Sequence, residues 1–88
     1  MFEWNEAKRE ANLARHQFDF SICVELFDGR DMVSRPSPRN GEERFVSIVL
    51  WRDRYLAVVW MWRADSRRII SLRSARDVEK RAYRAVHG

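Results

Sequence analysis

The chain has a single cysteine, Cys23, so no internal disulfide can form, and neither an oxidising compartment nor a cysteine-built zinc cluster is indicated. Its two histidines, His16 and His87, are far apart, and no carboxylates fall at ligand spacing, which leaves no motif for a metal centre. No serine is flanked by the glycines of a nucleophile elbow. Long hydrophobic runs are also missing: the longest, Tyr55 to Trp62, is well below the ~20 residues of a membrane-crossing helix. The opening Met1-Phe2-Glu3-Trp4-Asn5-Glu6 carries neither the basic region nor the apolar core of a signal peptide. These absences predict a cytoplasmic protein with no membrane contact, no metal and no cofactor.

What is present is charge and a moderate apolar content. Hydrophobic residues make up 45% and charged residues 34% of the chain, a balance that supports a packed core rather than disorder. Eighty-eight residues bury enough surface for one core and no more, so residues 1–88 read as one domain. Lysine and arginine outnumber aspartate and glutamate by 17 to 13, for a net charge of +4. With a pI near 10.0, the surface attracts polyanions, of which nucleic acid is the commonest. A solvated basic surface without such a partner is the plainer reading of the same charge.

Asn5 is placed to cap a helix running from Glu6 to His16, with an acid in its first turn and Arg15 and His16 in its last. Ala7, Ala11 and Ala14 would form its apolar stripe, while Lys8, Asn12 and His16 recur every fourth residue and share a polar row. Residues 18–27 fit two patterns. Phe18, Phe20, Ile22, Val24 and Leu26 alternate as a strand does, whereas Phe20, Cys23, Val24 and Phe27 suit one face of a short helix with Asp19 as cap and Gly29 as stop. Gly29 to Gly41 has the composition of a loop. Phe45 to Leu50 and Tyr55 to Trp60 predict a hairpin through Arg52-Asp53-Arg54, and Arg67 to Leu72 a third strand. The apolar character of the middle strand implies cover on both faces. Ser74 with Asp77 predicts a capping box opening a last helix in which Val78, Ala82 and Val86 align. The order describes an α+β domain with helices packed on an antiparallel sheet.

Cations collect at the expected element ends: Lys8, Arg15 and His16, then Arg44, then Arg67 and Arg68, then Arg73. Such a set suits phosphate. RNA carries its own nucleophile in the 2′-hydroxyl, so cleavage needs a base for that proton, an acid for the leaving 5′-oxygen and cations for the charge growing on phosphorus. The product is a 2′,3′-cyclic phosphate, and no metal is required. Plainer readings stand beside these. His16 suits the carbonyl end of a helix, Tyr83 suits a core, Arg76, Lys80, Arg81 and Arg84 suit a wet helix face or a partner contact, and the four tryptophans suit a core or interface better than base stacking.

Three stretches resemble the BrnT toxins, a group within the RelE-like ribonucleases. They are Phe2-x-Trp4-Asn5-x-x-Lys8-x-x-x-Asn12-x-x-Arg15-His16 followed by Phe18-x-Phe20, then Gly41-Glu42-Glu43-Arg44-Phe45-Val46, then Arg68-Ile69-Ile70-Ser71-Leu72-Arg73-Ser74-Ala75 with Glu79 and Tyr83 behind. Four departures are visible: Asn5 and Arg15 stand where the family usually has aspartate and lysine, Gln17 stands where it usually has glycine, and the loop from Arg30 to Asn40 is unusually basic. The resemblance implies an endoribonuclease toxin of a type II toxin–antitoxin pair that arrests translation. It implies a RelE-like fold with two N-terminal helices, a small antiparallel sheet of three to four strands and a C-terminal helix. It also implies a dimeric BrnA-like antitoxin with a ribbon-helix-helix part, a two-plus-two complex, and DNA contact only through that antitoxin. Side-chain chemistry divides the matched residues: His16 or Glu43 as base, Lys8, Arg44, Arg68 and Arg73 on the phosphate with Arg15 and Arg67 beside them, and Tyr83 as a late donor. A nucleic-acid-binding module without catalysis and a pure protein-interaction domain are the competing readings of the same residues.

Overall fold

A computed structural model describes all residues, 1–88. The chain runs β1 (Phe2–Glu3), α1 (Glu6–His16), α2 (Ile22–Leu26), β2 (Met32–Pro36), β3 (Phe45–Trp51), β4 (Arg54–Arg63), β5 (Ser66–Ser74) and α3 (Asp77–His87). The strands form one sheet in the order β1-β5-β4-β3-β2. β1 lies parallel to β5, and the other pairings are antiparallel. The α+β class is as expected. The sheet differs from the expectation in having five strands rather than three to four, in being mixed, and in starting before the two N-terminal helices. No helix is long and apolar enough to cross a membrane.

Both unexpected strands have physical reasons. β1 is two residues long, too short to show any period, and is held alongside β5 by bonds such as Arg67 N donating to the Met1 carbonyl at 2.8 Å. β2 lies in the stretch that reads as a loop, at the free edge of the sheet, where its terminal Pro36 leaves no ladder bond unmade. Beyond it the chain reverses through Asn40 and Gly41, both at positive φ (52° and 76°). Arg39 and Glu42 exchange backbone bonds of 3.0 and 2.9 Å across this turn. Asn-Gly is the pair that such a two-residue turn favours, so a signal for this reversal was present in the sequence. The β3–β4 turn uses the same sign of φ without glycine, at Arg52 (48°) and Asp53 (63°).

β4 is covered on one face along most of its length and on the other around Ala57, so the cover that its apolar run predicts is only partial on the second face. One face packs Phe18, Phe20, Cys23, Leu26, Leu56, Val58, Trp60, Ile69 and Leu72 beneath α2 and the segment before it. The other packs Val46, Ile48, Ala57 and Ala75 against Tyr83 of α3. The segment with two patterns resolves as a helix at Ile22–Leu26, burying Cys23 and Leu26 and exposing Val24. Asp19 Oδ1 accepts from the Ser21 N–H at 2.9 Å ahead of it. Burial pushes the Cys23 thiol up to about 12, so this cysteine is a packing residue rather than a nucleophile.

The helix faces depart from expectation. α1 starts as predicted, with Asn5 Oδ1 accepting from Lys8 N at 3.0 Å. It stops at Gln17 in the left-handed conformation (φ 64°, ψ 24°), which glycine adopts without strain. Its alanines Ala7, Ala11 and Ala14 face solvent, and Asn12, 8% exposed, faces the sheet. In α3 the N-cap is Arg76 rather than Ser74, and the Glu79 carboxylate accepts the Arg76 N–H at 2.8 Å. The sheet takes Glu79 and Tyr83, so the Val78–Ala82–Val86 line points outward.

Asn12 explains why α1 lies where it does. Past the end of β1, the outer edge of β5 presents the N–H and C=O of Leu72, and the Asn12 carboxamide takes both, at 3.2 and 2.9 Å. The same amide donates to the Phe18 carbonyl at 3.1 Å and accepts from Ser71 Oγ at 3.3 Å. A buried amide with four partners is replaced at high cost, because alanine leaves several backbone groups unpaired. We predict that Asn12→Ala lowers stability by about 2–4 kcal/mol in urea denaturation. Lys8→Ala, on the exposed part of the same helical row, should change it by less than about 0.5 kcal/mol. Equal midpoints for Asn12→Ala and the parent chain would contradict this role.

Candidate functional site

On the α3 side of the sheet, between the start of α3 and the end of α1, the strands are left uncovered and form a groove of about 400 Å³. Val46, Val59 and Ile70 make its floor. Cations make its rim: Arg15 and His16 from the last turn of α1, Arg39 and Arg44 from the approach to β3, Arg73 from β5 and Arg76 from the cap of α3, with Ser37 and Ser71 between them. A bulge helps build it. Val59 pairs with Ser71 and Trp60 with Ile69, so Ile70 is an extra residue and both Ile70 and Ser71 reach the groove.

His16 enters because Asn12, one turn earlier, fixes α1 on β5. Burial, together with the charges of Arg15 and Arg73, holds its imidazole below the ordinary value of 6.5. A neutral ring with a free lone pair is the form that can accept a proton at neutral pH. Arg73 is held in a two-bond fork, Nη1 to Glu79 Oε1 at 2.8 Å and Nη2 to Oε2 at 3.0 Å. Glu79 is only 8% exposed. The hydrogen bond from Arg73 is the largest cause holding its carboxyl below the usual range, against the opposing effect of burial. Through the Arg76 N–H the same carboxylate also anchors the start of α3, so one buried acid sets two cations of the rim. Arg44 is steadied by Glu42 Oε1, with contacts of 2.6 and 3.0 Å.

The other residues singled out in the sequence are more dispersed. Lys8 lines an adjoining hollow that shares Arg15, His16, Ile70 and Ser71 with the groove. Glu43 is exposed in a separate hollow with Pro36, Pro38 and Phe45, which meets the groove only at Arg44. Arg68 donates to Glu3 at 2.7 Å where β1 meets β5 and does not line the groove. Arg67 lies on the opposite face, its guanidinium 4.4, 5.0 and 4.8 Å from the rings of Phe27, Trp60 and Trp62. Tyr83 packs on Tyr55 and His87, with ring centroids 5.4 and 4.9 Å away, and burial raises its hydroxyl above its ordinary value. The groove adds Arg39, Arg76, Ser37 and Ser71 to the residues expected. Arg39 was foreshadowed by the basic loop and its Asn-Gly turn, and Arg76 by its spacing to Glu79. No three His, Cys, Asp or Glu side chains are grouped to share a metal ion.

A protein-family model described as the ribonuclease toxin BrnT of type II toxin-antitoxin systems matches residues 4–79. No curated protein matches the chain.

The His16 environment has a measurable consequence. Followed by NMR, its imidazole should titrate below 6.5, and Arg15→Gln should move the midpoint upward by removing a like charge. The folded chain then binds fewer protons here than the unfolded one, so the stability this group contributes is complete above 6.5 and is lost as pH falls through the folded midpoint. A midpoint at or above 6.5, unmoved by Arg15→Gln, would refute this assignment.

Proposed function

The chain belongs to the BrnT family of ribonuclease toxins of type II toxin–antitoxin systems, and on that premise we propose that it is a metal-independent endoribonuclease whose active centre is the cationic groove. The observation that carries the reading is the meeting of His16 and Arg73, 57 positions apart in sequence, in one groove with four further arginines. His16 takes the proton from the 2′-hydroxyl. The 2′-oxygen attacks phosphorus, the bond from phosphorus to the 5′-oxygen breaks, and a 2′,3′-cyclic phosphate and a 5′-hydroxyl result. Arg73 and Arg44, each already oriented by a carboxylate, face the charge that grows on the non-bridging oxygens, with Arg15, Arg39 and Arg76 extending the contact along the RNA backbone. The leaving 5′-oxygen takes a proton from solvent water at the adjoining hollow that Lys8 lines, and His16 gives up the proton it took to solvent.

The lining of the groove contains no carboxylate of its own, and that supports cation-based catalysis over a pair of bridged metal ions. Glu43 is the less suitable base because its hollow is separate. Arg67, Arg68 and Tyr83 serve the fold: Arg67 stacks on aromatic rings, Arg68 ties β1 to β5, and Tyr83 seats α3. The reading extends to a RelE-like arrangement of the sheet and helices, to arrest of translation in the cytoplasm, and to neutralisation by a BrnA-like ribbon-helix-helix antitoxin in a two-plus-two complex that contacts DNA through the antitoxin alone.

Incubation of the purified chain with RNA in excess EDTA should yield fragments ending in cyclic phosphate. His16→Ala should slow cleavage by about 10²- to 10⁴-fold and Arg73→Ala by about 10²- to 10³-fold, while Glu43→Gln should retain activity. Cleavage abolished by EDTA would refute metal independence. Undiminished cleavage by both groove variants would place the active centre elsewhere.

A further inference from the structure

The outward line of α3 is not the side that seats the helix on the sheet. Val78 and Val86 are 55% and 66% exposed, Ala82 lies half-buried between them, and a spacing of four puts the three on one side of the helix. α3 is seated by Glu79 and Tyr83 instead. Its opposite side is also occupied: Lys80 lies with Asp53, Tyr55 and Ser74, and the Arg84 guanidinium sits 5.1 Å over the Tyr55 ring. The valine line therefore turns the other way, toward the strand row of Arg35, Val46, Val59 and Ser71, paired in succession across the sheet. That is the side on which the groove opens.

We propose that the Val78–Ala82–Val86 flank is the docking surface for the antitoxin, and that the segment it receives is an amphipathic helix with an apolar stripe bordered by acidic residues. Valine and alanine offer RNA neither a hydrogen bond nor a stacking face, so the flank suits protein. A line with helical spacing is matched by another helix. The charges beside it select the sign of the partner: Arg76 at the start of α3, exposed Arg81 along it and exposed Arg35 across from it call for carboxylates. Three small side chains are far less than the ~800 Å² per partner of a stable complex, so the contact must spread onto the neighbouring groove. A bound antitoxin then excludes RNA by occupying Arg35, Arg39 and Arg76, without altering the catalytic residues. This inference rests on the toxin reading above and adds the surface and the chemistry of the partner.

The test uses the full chain and the antitoxin encoded in its own operon, purified separately, with the Val78→Glu plus Val86→Glu variant and, as a fold control, Val78→Lys plus Val86→Lys. The free variants should melt like the parent and cut RNA at the parent rate. The glutamate variant should bind antitoxin on the order of 10- to 100-fold more weakly and escape inhibition to the same degree, with the lysine variant less affected. Hydrogen exchange in the wild-type complex should show new protection over residues 78–86. Full affinity in the glutamate variant, an equal loss in both variants, or protection confined to the face of Trp62 and Arg67 would overturn the proposal. Absence of RNA cleavage by the free parent chain would instead overturn the toxin reading, so the two failures are distinguishable.

Discussion

The Asn12 carboxamide stands at the edge of β5 where another strand would pair, and it satisfies Leu72 on both its N–H and its C=O. One side chain thereby does the work of a strand residue, and because it belongs to α1 it fixes that helix against the sheet. Arg15 and His16 lie one turn further on. Their arrival at the groove is a geometric consequence of the amide pairing, since α1 buries little else: its alanines face solvent. A polar anchor suits this position. An apolar contact would hold the helix without setting its rotation, whereas four hydrogen bonds at 2.9–3.3 Å admit one orientation.

The groove sets several like charges close together, and the fold contains their repulsion with two carboxylates. Glu79 holds Arg73 in a fork and the Arg76 backbone by its N–H, and Glu42 holds Arg44. These acids sit behind the arginines, where they orient the guanidinium groups without entering the lining. In the proposed reaction, a transition state with extra negative charge on phosphorus would meet donors already in place, which is the condition under which electrostatic catalysis is strong. Crowded cations have a second effect: after burial, the charges of Arg15 and Arg73 hold the His16 imidazole below its ordinary value.

Much of this was legible in the sequence, and the misreadings have definite causes. Asn5 as a cap, the β3–β4 hairpin, the buried middle strand and the polar row on α1 follow from short-range chemistry that the sequence carries in full. β1 has too few residues to show a period, and β2 looks like a loop because an edge strand with Pro36 and exposed arginines needs no apolar alternation. The helix faces failed for a different reason. Alanine and valine stripes predict burial only where the core supplies a partner, and here Asn12 and Glu79, which look like surface residues, take the buried side. Of the proposed site, His16, Arg15, Arg44 and Arg73 were visible as cations at element ends. Arg67 was not separable from them, because it lies six positions before Arg73, which strict alternation would put on one face, and only the extra residue Ile70 and the rings of Phe27, Trp60 and Trp62 show that it faces the other way. Arg39 and Arg76 reach the groove through a turn and a cap, which sequence spacing places only loosely.

The claim that the groove, rather than any other basic surface, receives RNA can be tested without relying on turnover. An RNA oligonucleotide bearing 2′-methoxy groups cannot supply the attacking hydroxyl and so binds without being cut. Titrated into isotope-labelled protein, it should shift the NMR signals of Arg15, His16, Ser71, Arg73 and Arg76 while leaving those of Trp62 and Arg67 in place. Shifts centred on Trp62 and Arg67, with the groove signals unmoved, would contradict the account.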